Sequence, residues 1–259
     1  MTGKRRRRHR EGWLWRLLAR FSRPKAKPGR PFARYEPLFA GRRGLEIGGP
    51  SGVFRKTIGI YQRASMVDGV NFSDRTIWEG EIAAGRTYRL GKNKLGWQYI
   101  AEASDLSGVP AQRYDFLVSS NCLEHVANPL KALEAWREVL VPGGTMVLVV
   151  PRRDSTFDHR RPYTTFAHLK ADHAADVGED DMTHLEEILA CHDLSRDPRA
   201  GDAEAFRRRG LDNLANRCLH HHVFSRAVLA EAMGFAGLSV IELAETEGDL
   251  WCFARKPAG

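Results

Sequence analysis

The stretch at residues 44–52, GLEIGGPSG, decides the fold of this 259-residue chain. Residues 45–47 are typical of a buried strand, and the small residues after them predict a tight turn that leads into a helix. In such a unit, backbone N–H groups and the helix N-terminus meet at the carboxyl edge of a sheet, where a polar ligand binds. An ordinary strand-to-helix turn has a similar composition, so the rest of the chain must separate the two interpretations.

An acidic residue, Glu46, stands two positions before the first glycine of this turn. A carboxylate at this place attracts a cofactor that carries an ammonium group and repels a pyrophosphate. The stretch therefore favours S-adenosylmethionine over a dinucleotide. We predict that Glu46, Gly48, Gly49 and Gly52 bind this cofactor.

A second strand is predicted where strong β-formers occupy residues 65–67 and lead into Asp68, 20 residues after Gly48. A carboxylate can accept hydrogen bonds from both hydroxyls of a ribose, which makes an acid suitable at the tip of this strand. We predict that Asp68 binds the ribose.

A third strand is predicted over residues 97–103, and it leads to Asp105 and Leu106. Asp105 is expected to accept from an adenine amino group, with Leu106 against the ring. Together these predictions bring Glu46, Asp68 and Asp105 into one crevice at the carboxyl edge of the sheet.

The rest of the chain continues the alternation of strands and helices. A short apolar run at residues 114–120 predicts a fourth strand that opens into Asn121, a further predicted cofactor contact. A helix follows, with Pro129 near its start and Pro-Gly-Gly at residues 142–144 as its stop. The remaining predicted elements are a strand at 145–150, a helix at 223–233 and strands at 238–243 and 250–254, which makes seven strands in all.

From residue 44 onward the pattern resembles the class I S-adenosylmethionine-dependent methyltransferases, in their small-molecule branch. The resemblance is carried by the LEIGGPSG turn, the acid after strand two, the Asp-Leu pair after strand three, and LEHVANPLKALEAWREVLVPGG at residues 123–144. It implies an α/β fold with a Rossmann-like, seven-stranded, mostly parallel sheet of order 3-2-1-4-5-7-6, the last strand antiparallel and helices on both faces. One departure is Pro50, where the family usually has glycine. Because proline removes an N–H and fixes φ, the methionine end of the cofactor is expected to be held differently.

Composition indicates one globular domain with an N-terminal tail, divided at residues 1–31 and 32–259. The chain is 42% hydrophobic and has four cysteines. The cysteines are scattered without a C-x-x-C pair, so we predict neither disulfides nor a metal site, and a cytoplasmic location. An uninterrupted apolar run long enough for a membrane span is also missing from the sequence.

The tail carries most of the positive charge. Residues 1–30 hold 12 Lys or Arg against one acid, whereas the rest of the chain holds 28 basic and 31 acidic residues. Over residues 4–23, Trp13, Trp15 and neighbouring leucines follow the basic run with helical spacing. This pattern favours peripheral contact with an anionic membrane at its inner surface, with nucleic acid a less favoured partner and a solvated arm the alternative left open.

An insert at about residues 151–222 is rich in histidine and charge, and we expect it to choose the acceptor. Arg160 and Arg161 are predicted to bind the substrate, because the guanidinium fork suits carboxylate or phosphate. The predicted acceptor is a small polar molecule, of sugar or glycan type, methylated on oxygen or nitrogen. If the acceptor must lose a proton, His159 or His221 is the predicted base, ahead of His125.

Other classes of protein explain parts of the pattern. A metal-dependent hydrolase would use His184, His192 and residues 220–222, but these do not form the H-E-x-x-H pair. A dinucleotide oxidoreductase is disfavoured because Pro50 and Val53 replace two glycines of its fingerprint. A binding module that keeps the fold without the chemistry is the remaining alternative.

Overall fold

The computed structural model describes residues 32–91 and 94–259 of the chain. The predictions for the basic tail, including the membrane-contacting segment at residues 4–23, lie outside the described residues. The strands are β1 (Arg43–Ile47), β2 (Met66–Asn71), β3 (Arg75–Thr76), β4 (Gly80–Glu81), β5 (Gly85–Arg89), β6 (Leu95–Ile100), β7 (Tyr114–Ser120), β8 (Leu140–Pro151), β9 (Ser239–Glu245) and β10 (Asp249–Arg255).

The helices are α1 (Gly52–Lys56), α2 (Ile60–Arg63), α3 (Pro129–Val139), α4 (Phe166–Ala174), α5 (Leu185–Cys191), α6 (Ala203–Leu211), α7 (Asn213–Asn216) and α8 (Arg226–Phe235). Local signals account for several starts. Asn128 accepts from the N–H of Lys131 and precedes Pro129 at the start of α3, and Thr165 and Ser225 cap α4 and α8 through their hydroxyls. Among the described residues, none of the helices combines the length and the apolar character that a membrane span requires.

The sheet has the order β5-β6-β2-β1-β7-β8-β10-β9. From β6 onward this is the predicted order of seven strands, with β10 antiparallel to both of its neighbours, so the predicted fold class is confirmed. The eighth strand is β5, which pairs antiparallel with β6 at the edge. Sequence reasoning missed it together with the β3–β4 hairpin, because such short strands carry no readable alternation of apolar residues.

Strand β2 is longer than predicted and runs past Asp68 to Asn71. It pairs with β1 as far as Ile47↔Val70. Gly69, which marks a strand end in the sequence, is instead a packing glycine: a Cβ there would lie 2.1 Å from the Tyr88 ring. The close approach of Tyr88 explains the glycine, and β2 delivers Asn71 to the carboxyl edge.

Two apolar cores lie on the two faces of the sheet. Trp136 of α3 is completely buried in one of them, and its indole N–H donates to Ala103 O at 2.8 Å. Burial of such a side chain contributes about 1.5–3 kcal/mol, and the hydrogen bond fixes the chain beyond β6. The insert has a smaller core of its own around Leu185, Ile188 and Phe206.

Candidate active site

A cavity of about 510 Å³ opens at the carboxyl ends of β1, β2, β6 and β7. Parallel α/β sheets bind ligands at this edge, where the loops diverge. The lining residues used below are Gly48, Pro50, Gly52, Asn71, Trp78, Glu79, Glu102, Ala103, Asn121, Cys122, Glu124, His125, Glu179, Arg217 and His220.

The turn after β1 presents bare backbone to this cavity. Gly48 has φ +78°, and a Cβ there would lie 2.9 Å from Cys122 Sγ. At Gly49 an added Cβ would lie 2.2 Å from the Glu46 carboxyl carbon, whereas at Gly52 it would meet nothing within 4 Å. Two glycines are therefore required by close packing, and the third leaves open space beside the start of α1. Pro50 lines the cavity, and the Gly49–Pro50 peptide bond is cis.

Glu46 lies beneath the turn and does not line the cavity. Its buried carboxylate accepts from Tyr88 Oη at 2.6 Å, from Ser51 N at 2.9 Å and from the Tyr61 hydroxyl. Burial raises the pKa of Glu46, and the hydrogen bonds from Tyr61 and Tyr88 oppose the shift. The carboxylate thus stabilises the conformation of the turn. It lies outside the cavity and does not face a position where a cofactor ammonium would bind.

Asp68 also lies away from the cavity, which corrects the prediction that it binds a ribose. Its buried carboxylate accepts from Arg43 Nη2 at 2.6 Å, Tyr114 Oη at 3.0 Å and Trp97 N at 2.8 Å. The reason is the length of β2, which places Asp68 inside the sheet, opposite Leu45.

Asn71 takes the position at the cavity that was predicted for Asp68. It ends β2, lines the cavity and donates from Nδ2 to Gly49 O at 3.0 Å. This bond ties the end of β2 to the turn after β1.

Asp105 and Leu106 follow β6 too late to reach the cavity. The Asp105 carboxylate is exposed and accepts from Ser107 N at 3.0 Å, while Leu106 is buried in the core. Because β6 ends at Ile100, the residues that meet the cavity are Glu102 and Ala103. The predicted common crevice of three acids is therefore wrong in its residues.

The end of β7 supplies the most unusual group of the site. Asn121, in a left-handed conformation with φ 49°, lines the cavity, and its contact with the cofactor stays a prediction. Glu124 follows and is 1% exposed, and neither of its carboxylate oxygens has a hydrogen-bond partner among the described residues. Burial raises the pKa of Glu124 to about 7, while the nearby His220 lowers it.

Two histidines stand beside Glu124. One ligand-type atom from each of Glu124, His125 and His220 lies within 4.8 Å of the others. His220 Nδ1 donates to the Asp158 carboxylate, and His125 Nδ1 donates to Leu219 O at 3.0 Å. Burial lowers the pKa of His220, but the Asp158 carboxylate outweighs it and the net shift is upward.

The other predicted catalytic histidines point elsewhere. His159 Nε2 lies 2.8 Å from Asp193 Oδ2, and His221 Nε2 lies 3.1 Å from Asn213 Nδ2. Neither of them lines the cavity. Of the three histidines predicted as the base, only His125, the least favoured, lies at the cavity. The neighbouring Glu124 in the same LEH motif was a signal that could have directed attention there.

The predicted substrate-binding arginines are also outside the cavity. Arg160 Nη2 pairs with Asp193 Oδ2 at 3.1 Å. Arg161 is 2% exposed and donates to the backbone carbonyls of His220 and His221 at 2.7 and 3.1 Å. Its fork holds this segment of chain and is not available for a phosphate.

The arginine that does reach the cavity is Arg217, and its charge is neutralised there. Its Nη2 lies 2.6 Å from Glu102 Oε1, and its Nη1 lies 3.2 Å from Glu179 Oε2. Burial raises the pKa of Glu179 to about 7, while Arg217 lowers it. With Glu79 and Glu124 added, the lining of the cavity carries more acidic than basic side chains.

Known methyltransferases are similar to this chain in sequence. A family model described as a methyltransferase domain matches residues 6–243. Trans-aconitate 2-methyltransferase from Streptomyces avermitilis is 31% identical over 120 residues, which are 46% of this chain and 43% of that protein. The chain thus spans less than half the length of this curated relative.

Two solved structures are similar to this chain, and the first of them shows the same fold. An S-adenosylmethionine-dependent methyltransferase from Mesorhizobium loti has a TM-score of 0.52 and 17% identity, covering 87% of this chain and 96% of that one. A 1,6-didemethyltoxoflavin-N1-methyltransferase from Burkholderia thailandensis, solved with S-adenosylhomocysteine, has a TM-score of 0.47 and 14% identity, covering 88% of this chain and 77% of that one. The chain belongs to the S-adenosylmethionine-dependent methyltransferases.

The residues at the cavity fit the family's cofactor. Gly48 and Gly52 leave backbone uncovered at the turn. Asn71 at the end of β2 and Glu102 after β6 add polar side chains to the lining. The volume of about 510 Å³ falls within the range of ligand pockets. Of the ligands named for the hydrolase alternative, the candidate metal clusters of the described residues join His184 with His221 or His222, but not with His192.

Proposed function

We propose that this chain transfers a methyl group from S-adenosylmethionine to an oxygen or nitrogen of a small polar acceptor that is neutral or cationic. The observation that supports this most is the position of Glu124, which lines the same cavity as the glycine turn. Its buried carboxylate has no hydrogen-bond partner in the described part of the chain. A buried carboxylate is costly unless a ligand supplies a hydrogen bond or a positive charge. An acceptor hydroxyl would supply the hydrogen bond, and an acceptor amine would supply a hydrogen bond or a positive charge.

One side of the cavity, here named the cofactor wall, consists of Gly48, Gly52, Asn71 and Ala103. Backbone at Gly48 and Gly52 would face the methionine end of the cofactor. Asn71 would offer its free amide oxygen to the ribose, since its Nδ2 is used by Gly49 O. Glu102, from the loop after β6, would contact the nucleoside in place of Asp105.

The other side, here named the acceptor wall, consists of Glu124, His125 and His220. Trp78 closes it from the β3–β4 hairpin, with its ring centroid 5.5 Å from that of His125. The excess of glutamates opposes an anionic acceptor, so the trans-aconitate named for the Streptomyces relative fits this cavity poorly. A sugar hydroxyl or an amine fits it better, whereas a phosphorylated glycan does not.

The cofactor supplies an activated methyl group on a sulfonium, so the protein must align the acceptor and remove its proton. Glu124 would accept the hydrogen bond of the acceptor hydroxyl or amine, and then its proton. A base with a pKa of about 7 is half ionised at neutral pH, which suits this task. His220, held in one tautomer by Asp158, lies beside Glu124 and stabilises its ionised form.

Labelled S-adenosylmethionine with fractionated cell extract tests the proposal. We expect label in a small molecule that anion exchange does not retain. At equal protein, Glu124→Gln should transfer label at least about a hundredfold more slowly. A labelled acceptor that carries several negative charges would contradict the argument from the cavity's charge. Absence of transfer with every fraction, from a protein that binds the cofactor in calorimetry, would favour the non-catalytic binding module.

A further inference from the structure

A second group of histidines lies in the insert, outside the cavity. The histidine cluster consists of His168, Asp172, His184 and His222, and one ligand-type atom from each lies within 4.8 Å of the others. His168 and Asp172 are one turn apart on α4, so they share a face of that helix. His184 stands directly before α5. Three separate stretches of chain therefore bring imidazole and carboxylate groups to one point.

The contacts within the histidine cluster bring two ring nitrogens and a carboxylate oxygen together. His168 Nε2 lies 3.2 Å from His184 Nε2 and 3.3 Å from Asp172 Oδ2. Asp172 Oδ2 is buried and has no hydrogen-bond partner of acceptable geometry among the described residues. One shared imidazole proton cannot satisfy two ring nitrogens and a carboxylate oxygen, whereas a cation at their centre satisfies all three.

His222 is the buried member of the cluster. It is 1% exposed, and its Nε2 lies 3.0 Å from Ala127 O and 3.9 Å from Asp172 Oδ2. Its Nδ1 is buried and has no hydrogen-bond partner among the described residues, so one ring nitrogen is left for a ligand. The rings of His168 and His184 meet edge to face, with centroids 4.9 Å apart, and the His184 and His222 centroids are 5.2 Å apart.

We propose that the histidine cluster binds one divalent transition-metal ion, with zinc as the best match. Three imidazoles and one carboxylate are nitrogen and oxygen ligands that zinc accepts, and together they supply the four ligands of a tetrahedral site. From the sequence we predict no metal, although the hydrolase alternative includes His184 and His222 among its possible ligands. The four residues of the cluster are spread over 55 residues in the pattern H-x3-D, H and H. Their meeting point depends on the packing of the insert.

Such an ion would fix the acceptor wall of the cavity. It joins α4 and the start of α5 to His222, two residues after His220, which lines the cavity. Two further groups of the same region, Asp181 and His221, come within 4.8 Å of His184. The carboxylate of Asp181 would balance the remaining positive charge of the site.

Metal analysis of tag-free protein tests the site directly. We expect roughly one zinc ion per chain after purification with zinc and dialysis. His168→Ala and Asp172→Asn should lose the ion, since each removes one ligand. The matched control is His173→Ala, on the same helix, whose Nε2 contacts Glu134 Oε2 at 3.0 Å and lies outside the cluster.

Glu124→Gln is a second control, because it changes a residue of the cavity and none of the histidine cluster. This variant should bind zinc as the wild type does. Removal of the ion from the wild-type protein by a chelator should lower Tm by roughly 5–10 °C relative to zinc at 100 times its Kd, reversibly. This second measurement needs no variant, so it stands even if a substitution prevents folding. A wild-type protein that binds no zinc and has the same Tm with zinc and with chelator would overturn the proposal, as would full zinc content in folded Asp172→Asn. Neither readout depends on methyl transfer.

Discussion

The two walls of the cavity differ in the chemical groups that they present. The cofactor wall consists of glycine backbone, an alanine and one amide, all carried by the ends of parallel strands and the loops directly after them. The acceptor wall consists of a buried carboxylate and two buried or half-buried histidines, one of which comes from the insert. Backbone and small residues select a ligand by shape, whereas buried ionisable groups select by charge and protonation. A substitution should therefore alter cofactor affinity on one wall and turnover on the other.

The largest effect should follow Glu124→Gln. We expect turnover to fall by roughly 10²- to 10⁴-fold, because the amide cannot take the acceptor's proton. Cofactor affinity should stay within about twofold, since the change adds no bulk near the turn. In the wild-type protein turnover should rise with pH around a midpoint near 7, as Glu124 ionises.

Transfer of label at several pH values, with calorimetric titration of the cofactor, checks this. Glu186→Gln, an exposed carboxylate of α5, serves as the control. A variant that keeps the wild-type pH profile would show that Glu124 is not the base.

Glu124→Gln should lower turnover but raise the stability of the folded protein. The pKa of Glu124 rises from 4.5 to about 7 on folding, so the folded state holds the proton more tightly than the unfolded state. The resulting stability is complete below pH 4.5 and is lost as pH rises through 7, at a cost of about 3 kcal/mol. Glu124→Gln should thus raise the free energy of unfolding at pH 8 and change it little at pH 5. Urea unfolding of the ligand-free protein at both pH values measures this, and a less stable variant at pH 8 would contradict it.

On the cofactor wall, Gly48→Ala should weaken cofactor binding by about tenfold or more. The φ of +78° costs a side chain about 1–2 kcal/mol, and the new Cβ would lie 2.9 Å from Cys122 Sγ. Adding Cys122→Ala removes the Sγ contact but keeps the Cβ at 3.0 Å, so it should recover only a share of the steric loss and leave the backbone part. Gly108→Ala, where a Cβ meets nothing within 4 Å, is the control. Cofactor affinity in Gly48→Ala equal to the wild type would remove the turn from the site.

The smallest effects separate Asn71 from Asp68. Asn71→Ala should weaken cofactor binding by several-fold, the loss of one neutral hydrogen bond worth about 1 kcal/mol. Asp68→Asn should lower Tm, because Arg43 and Tyr114 lose a charged partner, and should leave cofactor affinity unchanged. Thermal unfolding and calorimetry on both variants give the answer. If Asp68→Asn weakened binding and Asn71→Ala did not, the original prediction for the ribose would be restored.

Prediction from sequence was most accurate where a local signal and a buried strand coincide. The predicted bounds of β7 match residue by residue, since an apolar run between polar ends is unambiguous. Prediction failed where strand length decides which residue reaches the edge. Because β2 is three residues longer than predicted, Asn71 and not Asp68 lies at the cavity. Because β6 ends earlier than predicted, Glu102 and not Asp105 does so. A glycine inside a strand looks like its end unless the packing partner, here Tyr88, is known.

The amino-acid sequence by itself determined the glycine turn and the family, because these depend on local patterns along the chain. The order of the seven main strands followed from the family resemblance. Only the tertiary structure decided that Glu124, His125 and His220 share a cavity, since nearly a hundred residues separate His125 from His220. It also decided that Glu46 and Asp68 are internal partners of tyrosines and an arginine. The physical reason is that the chemistry of a carboxylate depends on burial and on the groups across from it, and both are set by residues far away in the chain.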